Sequence, residues 1–389
     1  MLLNFTLVYL QECAPPHLRG LCMNIVTIWI TIGSTVGMVI LNATAGIMSR
    51  KLYQILLYVC LRAPVILVLT LPFLPESPRW LLHHGQAEAS MRSLSFFRKG
   101  TFDDLAVQEE FEEMKAIATR EAETTKDWRL MLELFRGHNL RRTIVCVGTC
   151  TANAGVGAVF VLGFGTCFFE VAKVSDPFKW TIITNCIGLI GMLLTWFIVT
   201  RVGRRVMIFI GSGMCTICML IMAAIYTPTG ALEKKGNDAT LIILISTYIF
   251  GFNFGLTPYA YMVIGELPAQ NLRAYTMGLS IAVSFVFAWL SSFTTPYYIN
   301  PTELNWGPKF GHVWFVSGLI VCIFIYFALP ELRDRSLEEI VEMFRKRVPT
   351  RQFSTYVCVE ADEAKSRAVF NRDVAEKQAA AGRGFEHTE

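Results

Sequence analysis

The chain has 389 residues, 53% of them hydrophobic and 17% charged, whereas soluble domains run near a quarter charged; an ordinary soluble enzyme, a disordered chain and a collagen-like repeat are all excluded. The 35 basic and 31 acidic residues leave a net charge of only +4, which gives no electrostatic case for binding nucleic acid. The 11 cysteines sit mostly inside apolar runs, as small hydrophobes do, so neither a disulfide framework nor a zinc site nor any cofactor is implied. A polytopic all-α membrane protein remains.

The first apolar stretch, 1–10, is half the length needed to cross a bilayer of about 30 Å. It lacks the basic start and small-residue cleavage site of a signal peptide, and reads as the end of a helix whose beginning is absent. Eight stretches are long and apolar enough to span: 21–44, 52–74, 143–169, 178–200, 206–226, 240–264, 275–296 and 313–329. Between the second and third lies a polar segment, 75–140, predicted to be a helical linker. In it Ala87, Met91, Leu94 and Phe97 repeat at helical spacing, 105–124 is an acidic helix former, and Trp128, Leu132 and Phe135 suggest a third short helix. The organisation predicted is the remainder of an N-terminal transmembrane half over 1–74, this linker, a six-helix transmembrane half 141–330, and a polar tail 331–389 disordered after about 350.

Alternate connections hold Arg19, the basic residues of 79–142, Arg201 with Arg204 and Arg205, Arg273, and the tail from Arg333. The other side holds only Arg50, Lys51, Lys173, Lys179, Lys234, Lys235 and Lys309. The asymmetry places linker and tail in the cytosol.

Two turns on that side resemble each other. One reads Glu12-Cys-Ala-Pro-Pro-His-Leu-Arg19-Gly and the other Glu266-Leu-Pro-Ala-Gln-Asn-Leu-Arg273-Ala, offset by 254 residues. Pro75-Glu76 and Pro330-Glu331, each ending an apolar span, are offset by 255. Two landmarks at one offset indicate homologous halves, the internal symmetry of secondary transporters. In the second half 125 residues separate Arg141 from Glu266, whereas 11 precede Glu12. The expectation is a protein of six plus six helices shortened at its N-terminus by about three and a half, with eight complete spans and a half span.

Nine charged residues fall at span ends on the Arg-rich side: Glu12, Arg19, Glu76, Arg79, Arg204, Arg205, Glu266, Arg273 and Glu331. They suit an ion-pair latch that closes the cytosolic side and breaks for opening; interfacial anchoring is the alternative. Arg62 lies mid-span, where an ionisable group faces a cavity or a partner. Polar residues within the second half are few and uncharged, among them Asn153, Asn253, Tyr259, Tyr261 and Ser284. Such a lining suits a neutral, hydroxylated ligand better than an ion. Gly155, Gly157, Gly163 and Gly165, and Gly251 with Gly255, permit bending or close packing. Cys215 and Cys218 form a CxxC inside an apolar helix, where core packing is the better reading.

These landmarks resemble the sugar porter family of the major facilitator superfamily. Pro75-Glu-Ser-Pro-Arg-Trp-Leu81 matches a family motif throughout. Val202-Gly-Arg-Arg205 is similar to its loop motif, and Pro330-Glu-Leu-Arg-Asp-Arg-Ser-Leu-Glu-Glu339 to its closing motif. Within the family, Thr295-Thr-Pro-Tyr-Tyr-Ile-Asn-Pro-Thr302 and Val348-Pro-Thr-Arg-Gln-Phe353 look most like fungal maltose-type (α-glucoside) permeases. The resemblance implies the major facilitator fold, no enzymatic activity and no metal. It also implies alternating-access import of a sugar at the plasma membrane, with protons as coupling ion in the full-length protein. It puts Asn153, Asn253 and Tyr261 at sugar-contacting positions and Thr27 where a glutamine is frequent. The family's paired glutamines are replaced by Asn153 and Ala154, the following tyrosine by Phe164, and the acid before the Gly-Arg-Arg motif by Thr200. Fewer amides mean fewer hydroxyl contacts than in a hexose porter. A transporter-like sugar sensor and a non-transporting fragment are the alternative readings; a sensor would carry a longer cytosolic tail.

Overall fold

The computed structural model describes residues 2–15, 19–44, 51–100, 104–124, 130–171, 174–199, 201–226, 237–269, 272–299, 306–333, 335, 337–353, 355–356 and 358. Its regular structure is helical: α1 (Leu2–Cys13), α2 (Arg19–Thr44), α3 (Lys51–Thr70), α4 (Pro78–His83), α5 (Ala87–Arg98), α6 (Asp104–Thr124), α7 (Leu130–Glu133), α8 (Gly137–Gly155), α9 (Ala158–Val171), α10 (Pro177–Ile198), α11 (Arg204–Tyr226), α12 (Asn237–Gly251), α13 (Thr257–Glu266), α14 (Arg273–Ile299), α15 (Gly311–Ala328) and α16 (Leu337–Arg345). Among the described residues, eight helical stretches are long and apolar enough to cross a membrane, from Gly20–Thr44 to Gly311–Ala328. They coincide with the eight predicted spans. In a bilayer the chain has no other way to satisfy its backbone N–H and C=O groups, so apolar runs of this length become helices.

Two spans are interrupted. The span Gly137–Thr166 breaks between α8 and α9, where Gly157 has φ +87° and the N–H groups of Val156 and Gly157 reach back to Ala152 O and Ala154 O. A side chain there would be strained, and its Cβ would meet the Trp314 ring at 2.7 Å. The span Ala239–Glu266 joins α12 to α13 through a π-helical turn, Phe252–Leu256. The Thr195 hydroxyl on α10 donates to the Phe254 carbonyl at 2.7 Å, satisfying an acceptor on this turn.

One large apolar core runs through α8–α15, with Cys146, Cys150, Ile208, Met219, Tyr248 and Leu256 in its interior. The CxxC belongs to it: Cys215 is fully buried and its thiol donates to Tyr248 O at 3.6 Å. From the N-terminal side of the linker, α2 packs against α10 and α13, and the Thr31 hydroxyl contacts Met192 Sδ across that seam at 3.2 Å. Helix α3 lies outside this packing; its span has none of its residues buried. Arg62 is exposed with it and is paired with no carboxylate among the described residues.

The linker folds into a pad of α4, α5 and α6 around Leu94, Val107, Phe111 and Met114. The third predicted helix is the single turn α7; Trp128 lies outside the described residues. The pad docks on α1: Tyr9 OH donates to Pro75 O at 2.7 Å, and the Arg98 guanidinium donates to Cys13 O at 3.1 Å while holding Glu110 at 2.9 and 2.7 Å. The 254-residue repeat is visible in the helix boundaries, since α1 and α13 both end at the glutamate turn while Arg19 and Arg273 begin α2 and α14.

After α15 the chain is strapped back over the bundle. Phe344, Val348, Phe353 and Cys358 are buried, and Arg141 on α8 donates to Val348 O at 3.0 Å and to the Thr350 hydroxyl at 2.8 Å. The ordered packing therefore reaches Cys358; the rest of the segment expected to be disordered lies outside the described residues.

Candidate functional site

Of the nine charged residues, Arg204, Glu266 and Glu331 are brought together. Arg204 opens α11, Glu266 ends α13, and Glu331 follows α15. The Arg204 Nη2 lies 3.4 Å from Glu266 Oε1, both side chains being less than one-fifth exposed. Glu331 Oε1 accepts the backbone N–H of Arg204 at 2.9 Å and those of Leu332 and Arg333 at 3.1 and 3.2 Å. A carboxylate at a helix N-terminus satisfies orphan N–H groups and meets the positive end of the helix dipole. Gly203 makes this approach feasible, because a Cβ there would collide with the Glu331 carboxylate. Beside them Arg205 Nη2 donates to Tyr326 O at 2.6 Å.

The N-terminal members are arranged differently. Glu12 accepts a hydrogen bond from the Ser77 hydroxyl, and Ser77 also caps α4. Glu76 is exposed, and its carbonyl accepts from the Ser93 hydroxyl at 2.6 Å. Arg79 lies in the first turn of α4. Arg273 is buried at the start of α14, and the side chain of Arg19 lies outside the described residues. Among the described residues, these interactions tie segments within each half.

Sequence reasoning missed three members of this end. Ser77 and Arg98 join the pad to α1, and Arg142 is 2% exposed with its guanidinium 4.9 Å from the centre of the Phe344 ring. The nitrogens of Arg142 make no hydrogen bond among the described residues. The available signal for Arg142 was its place one residue before a predicted span, and for Ser77 its place inside the Pro75–Leu81 motif; nothing in the sequence marks Arg98.

Deeper in the bundle two of the candidate ligand residues, Asn153 and Asn253, sit at the two helix breaks. Asn153 lies just before the Gly157 break, its Nδ2 donating to Cys150 O at 3.3 Å and its buried Oδ1 without a partner among the described residues. Asn253 is inside the π turn and buried, against Gly188 of α10. Tyr261 follows on α13, partly buried against the core. Thr27 is buried on α2, where its hydroxyl donates to Asn24 O at 2.8 Å, a contact within its own helix. Further buried polar atoms without a partner among the described residues are Asn24 Nδ2, Thr149 Oγ1, Thr257 Oγ1, Tyr259 OH and Trp314 Nε1. A buried polar atom left unpaired costs about 1–3 kcal/mol, so the Asn153 Oδ1 beside the break is open to a hydrogen bond from elsewhere.

Residues 2–344 match the model of the family described as "Sugar (and other) transporter". A major facilitator-type transporter of Aspergillus rugulosus, ecdD, is 28% identical over 87% of this chain and 64% of its own length. The general α-glucoside permease of Saccharomyces cerevisiae is 30% identical over 76% of this chain and 48% of its own length. The chain thus spans about half to two-thirds of the curated relatives it matches. Among solved structures, the proton:xylose symporter XylE bound to 6-bromo-6-deoxy-D-glucose superposes with a TM-score of 0.70 at 22% identity, over 87% of this chain and 70% of that one. The major facilitator fold, the membrane-length helices and the family match agree, and the chain belongs to the sugar (and other) transporter family of the major facilitator superfamily.

Proposed function

We propose that the protein moves a sugar across a membrane by alternating access, with its arginine-rich end in the cytosol and the plasma membrane as its site of action. The observation that carries this reading is the pairing of two broken spans with two amides, Asn253 buried and Asn153 half-buried. Asn153 adjoins the Gly157 break and Asn253 sits in the π turn. Discontinuous helices near the bilayer midplane free backbone and side-chain polar groups for a substrate. The candidate groups at and after the two breaks, the amides of Asn153 and Asn253 and the phenol of Tyr261, are all uncharged, which favours a neutral polyhydroxyl ligand over an ion. Tyr261 and Thr27 complete the proposed lining. The α-glucoside permease relatives favour an α-glucoside such as maltose, and the symporter neighbour favours proton coupling.

The charged cluster is proposed as the cytosolic gate of this cycle. Arg204, Glu266 and Glu331 clamp the ends of three helices in the second half, while Glu12, Glu76 and Arg79 sit where the pad meets the first. Arg19, Arg205 and Arg273 belong to the same end by position. The gate opens when these contacts exchange for water.

Uptake of radiolabelled maltose and glucose by cells lacking their own sugar carriers tests the proposal. Maltose uptake abolished by a protonophore is expected; uptake of neither sugar would overturn the substrate class. Asn253→Ala is expected to raise KM about tenfold or more, since a site built to hydrogen-bond a hydroxyl loses discrimination when its partner is removed, with the melting temperature unchanged.

A further inference from the structure

Tyr326 and Phe327 end α15 at the arginine-rich side and are 44% and 63% exposed. Phe209 of α11, 43% exposed, lies against Tyr326 with ring centroids 6.2 Å apart. In a membrane this aromatic surface faces acyl chains just below the headgroups. Two arginines from distant positions in the sequence cover it. The Arg205 guanidinium stands 5.7 Å from the Tyr326 ring centre and is fixed by its bond to Tyr326 O. The Arg351 guanidinium stands 4.8 Å from the same ring and 5.7 Å from that of Phe327. Arg351 is held there from both sides, by Thr350 bonded to Arg141 and by buried Phe353.

Neither guanidinium is paired with a carboxylate among the described residues. Glu342, nine residues before Arg351, is occupied by Lys346 at 2.7 Å, and Glu331 is occupied by backbone N–H groups. Two guanidiniums set over exposed rings, with donors to spare, match an anionic phosphate ester attached to a hydrocarbon chain. A contact with a ring does not consume the N–H groups of the guanidinium, which remain available to grip phosphate. Basic pockets between transmembrane helices on the cytosolic side bind anionic headgroups in this way.

We propose that Arg205 and Arg351, set over Tyr326, form a headgroup site for an anionic glycerophospholipid of the cytosolic leaflet. The leaflet rests on the orientation proposed above; the chemistry of the site does not. Such a lipid would bind the C-terminal strap to α11 and α15 and so tie the tail to the membrane domain.

The full chain is reconstituted in nanodiscs of phosphatidylcholine alone or with phosphatidylserine, and retained lipid and melting temperature are read by native mass spectrometry and thermal unfolding. Both leaflets of a nanodisc are alike and no transport is needed, so failure here is separable from failure of the uptake experiment. Phosphatidylserine is expected to be retained and to raise the melting temperature. Arg351→Gln and Arg205→Gln should each weaken it on the order of fivefold, the effect of one cation at an anionic surface. Arg351→Lys, which keeps the charge but loses the fork, should also weaken binding. Arg201→Gln, removing an exposed arginine at the same end, should change it less than about twofold. An equal loss in Arg201→Gln would mean diffuse surface attraction and overturn the site. So would wild-type retention by Arg351→Gln, or equal stabilisation by soluble glycerophosphoserine, which would indicate a free phosphate site.

Discussion

Glu331 accepts the backbone N–H of Arg204 at 2.9 Å across 127 residues of sequence, so the end of the last span caps the beginning of α11. The same arginine uses its side chain for Glu266. One residue thus joins three helix ends, its main chain to one acid and its side chain to another. Loss of either carboxylate releases a different helix.

Gly203→Ala should disrupt this cap from the other side, because its Cβ would enter the space of the Glu331 carboxylate. The expected destabilisation is about 1–3 kcal/mol, the penalty for N–H groups at a buried helix end losing their acceptor. Thermal unfolding in detergent reads it. Gly213→Ala, where an added Cβ meets nothing within 4 Å, is the control and should melt no lower than the parent.

The Arg204–Glu266 pair is open to a double-mutant cycle. With both side chains largely buried, Arg204→Gln and Glu266→Gln should couple by about 0.5–3 kcal/mol in unfolding free energy. If the pair belongs to the gate, uptake rates of the single variants should change more than their stabilities do. Additive effects on both readouts would mean that the residues act separately.

Arg98→Lys tests the pad. Arg98 is 4% exposed and its fork serves Glu110 and Cys13 O together, a geometry that an ammonium group does not reproduce. Because the charge is kept and Glu110 is partly exposed, the cost is that of the lost hydrogen bonds, about 1–3 kcal/mol. Proteases should cut the 75–140 linker faster in Arg98→Lys, while spans distant from it stay protected.

Gly157→Ala should be costly for two independent reasons. The φ of +87° carries about 1–2 kcal/mol for a residue with a Cβ, and crowding against Trp314 adds about 1–3 kcal/mol. Gly163→Ala on α9, with open space around it, should be close to neutral. Equal melting temperatures for the two variants would show that the break does not depend on its glycine.

The spans were legible because a bilayer leaves little choice: an apolar run near 20 residues long has to be a helix. The repeat was legible because Glu12–Arg19 and Glu266–Arg273 mark equivalent helix ends, and those ends fall where the pattern put them. Partners were harder to read. Charge spacing suggested acid–base pairs, yet Glu12 meets the Ser77 hydroxyl and Glu331 meets main-chain N–H groups, which every residue but proline carries and no motif advertises. Thr27 was placed by its position, but its hydroxyl is engaged by Asn24 on the same helix. The strap from α16 to Cys358 looked polar because its apolar residues, Phe344, Val348 and Phe353, are spaced too irregularly to register as a buried element.

The π turn at Phe252–Leu256 has a consequence for what kinds of change the gene can tolerate. A π turn holds one residue more than the α-helix around it, and its lower twist per residue absorbs that residue, so the helix beyond keeps the register it would have without it. Deleting a single residue between 252 and 256 would let an even α-helix run through and leave Tyr261 and Glu266 on the faces they now occupy, with Glu266 still toward Arg204. What would be lost is the local widening that sets Asn253 against Gly188 and offers the Phe254 carbonyl to Thr195. An extra residue in the regular turns of α12 or α13, which have no such slack, would rotate everything after it by about 100°, so the same one-codon change is mild at one level of this span and severe at another.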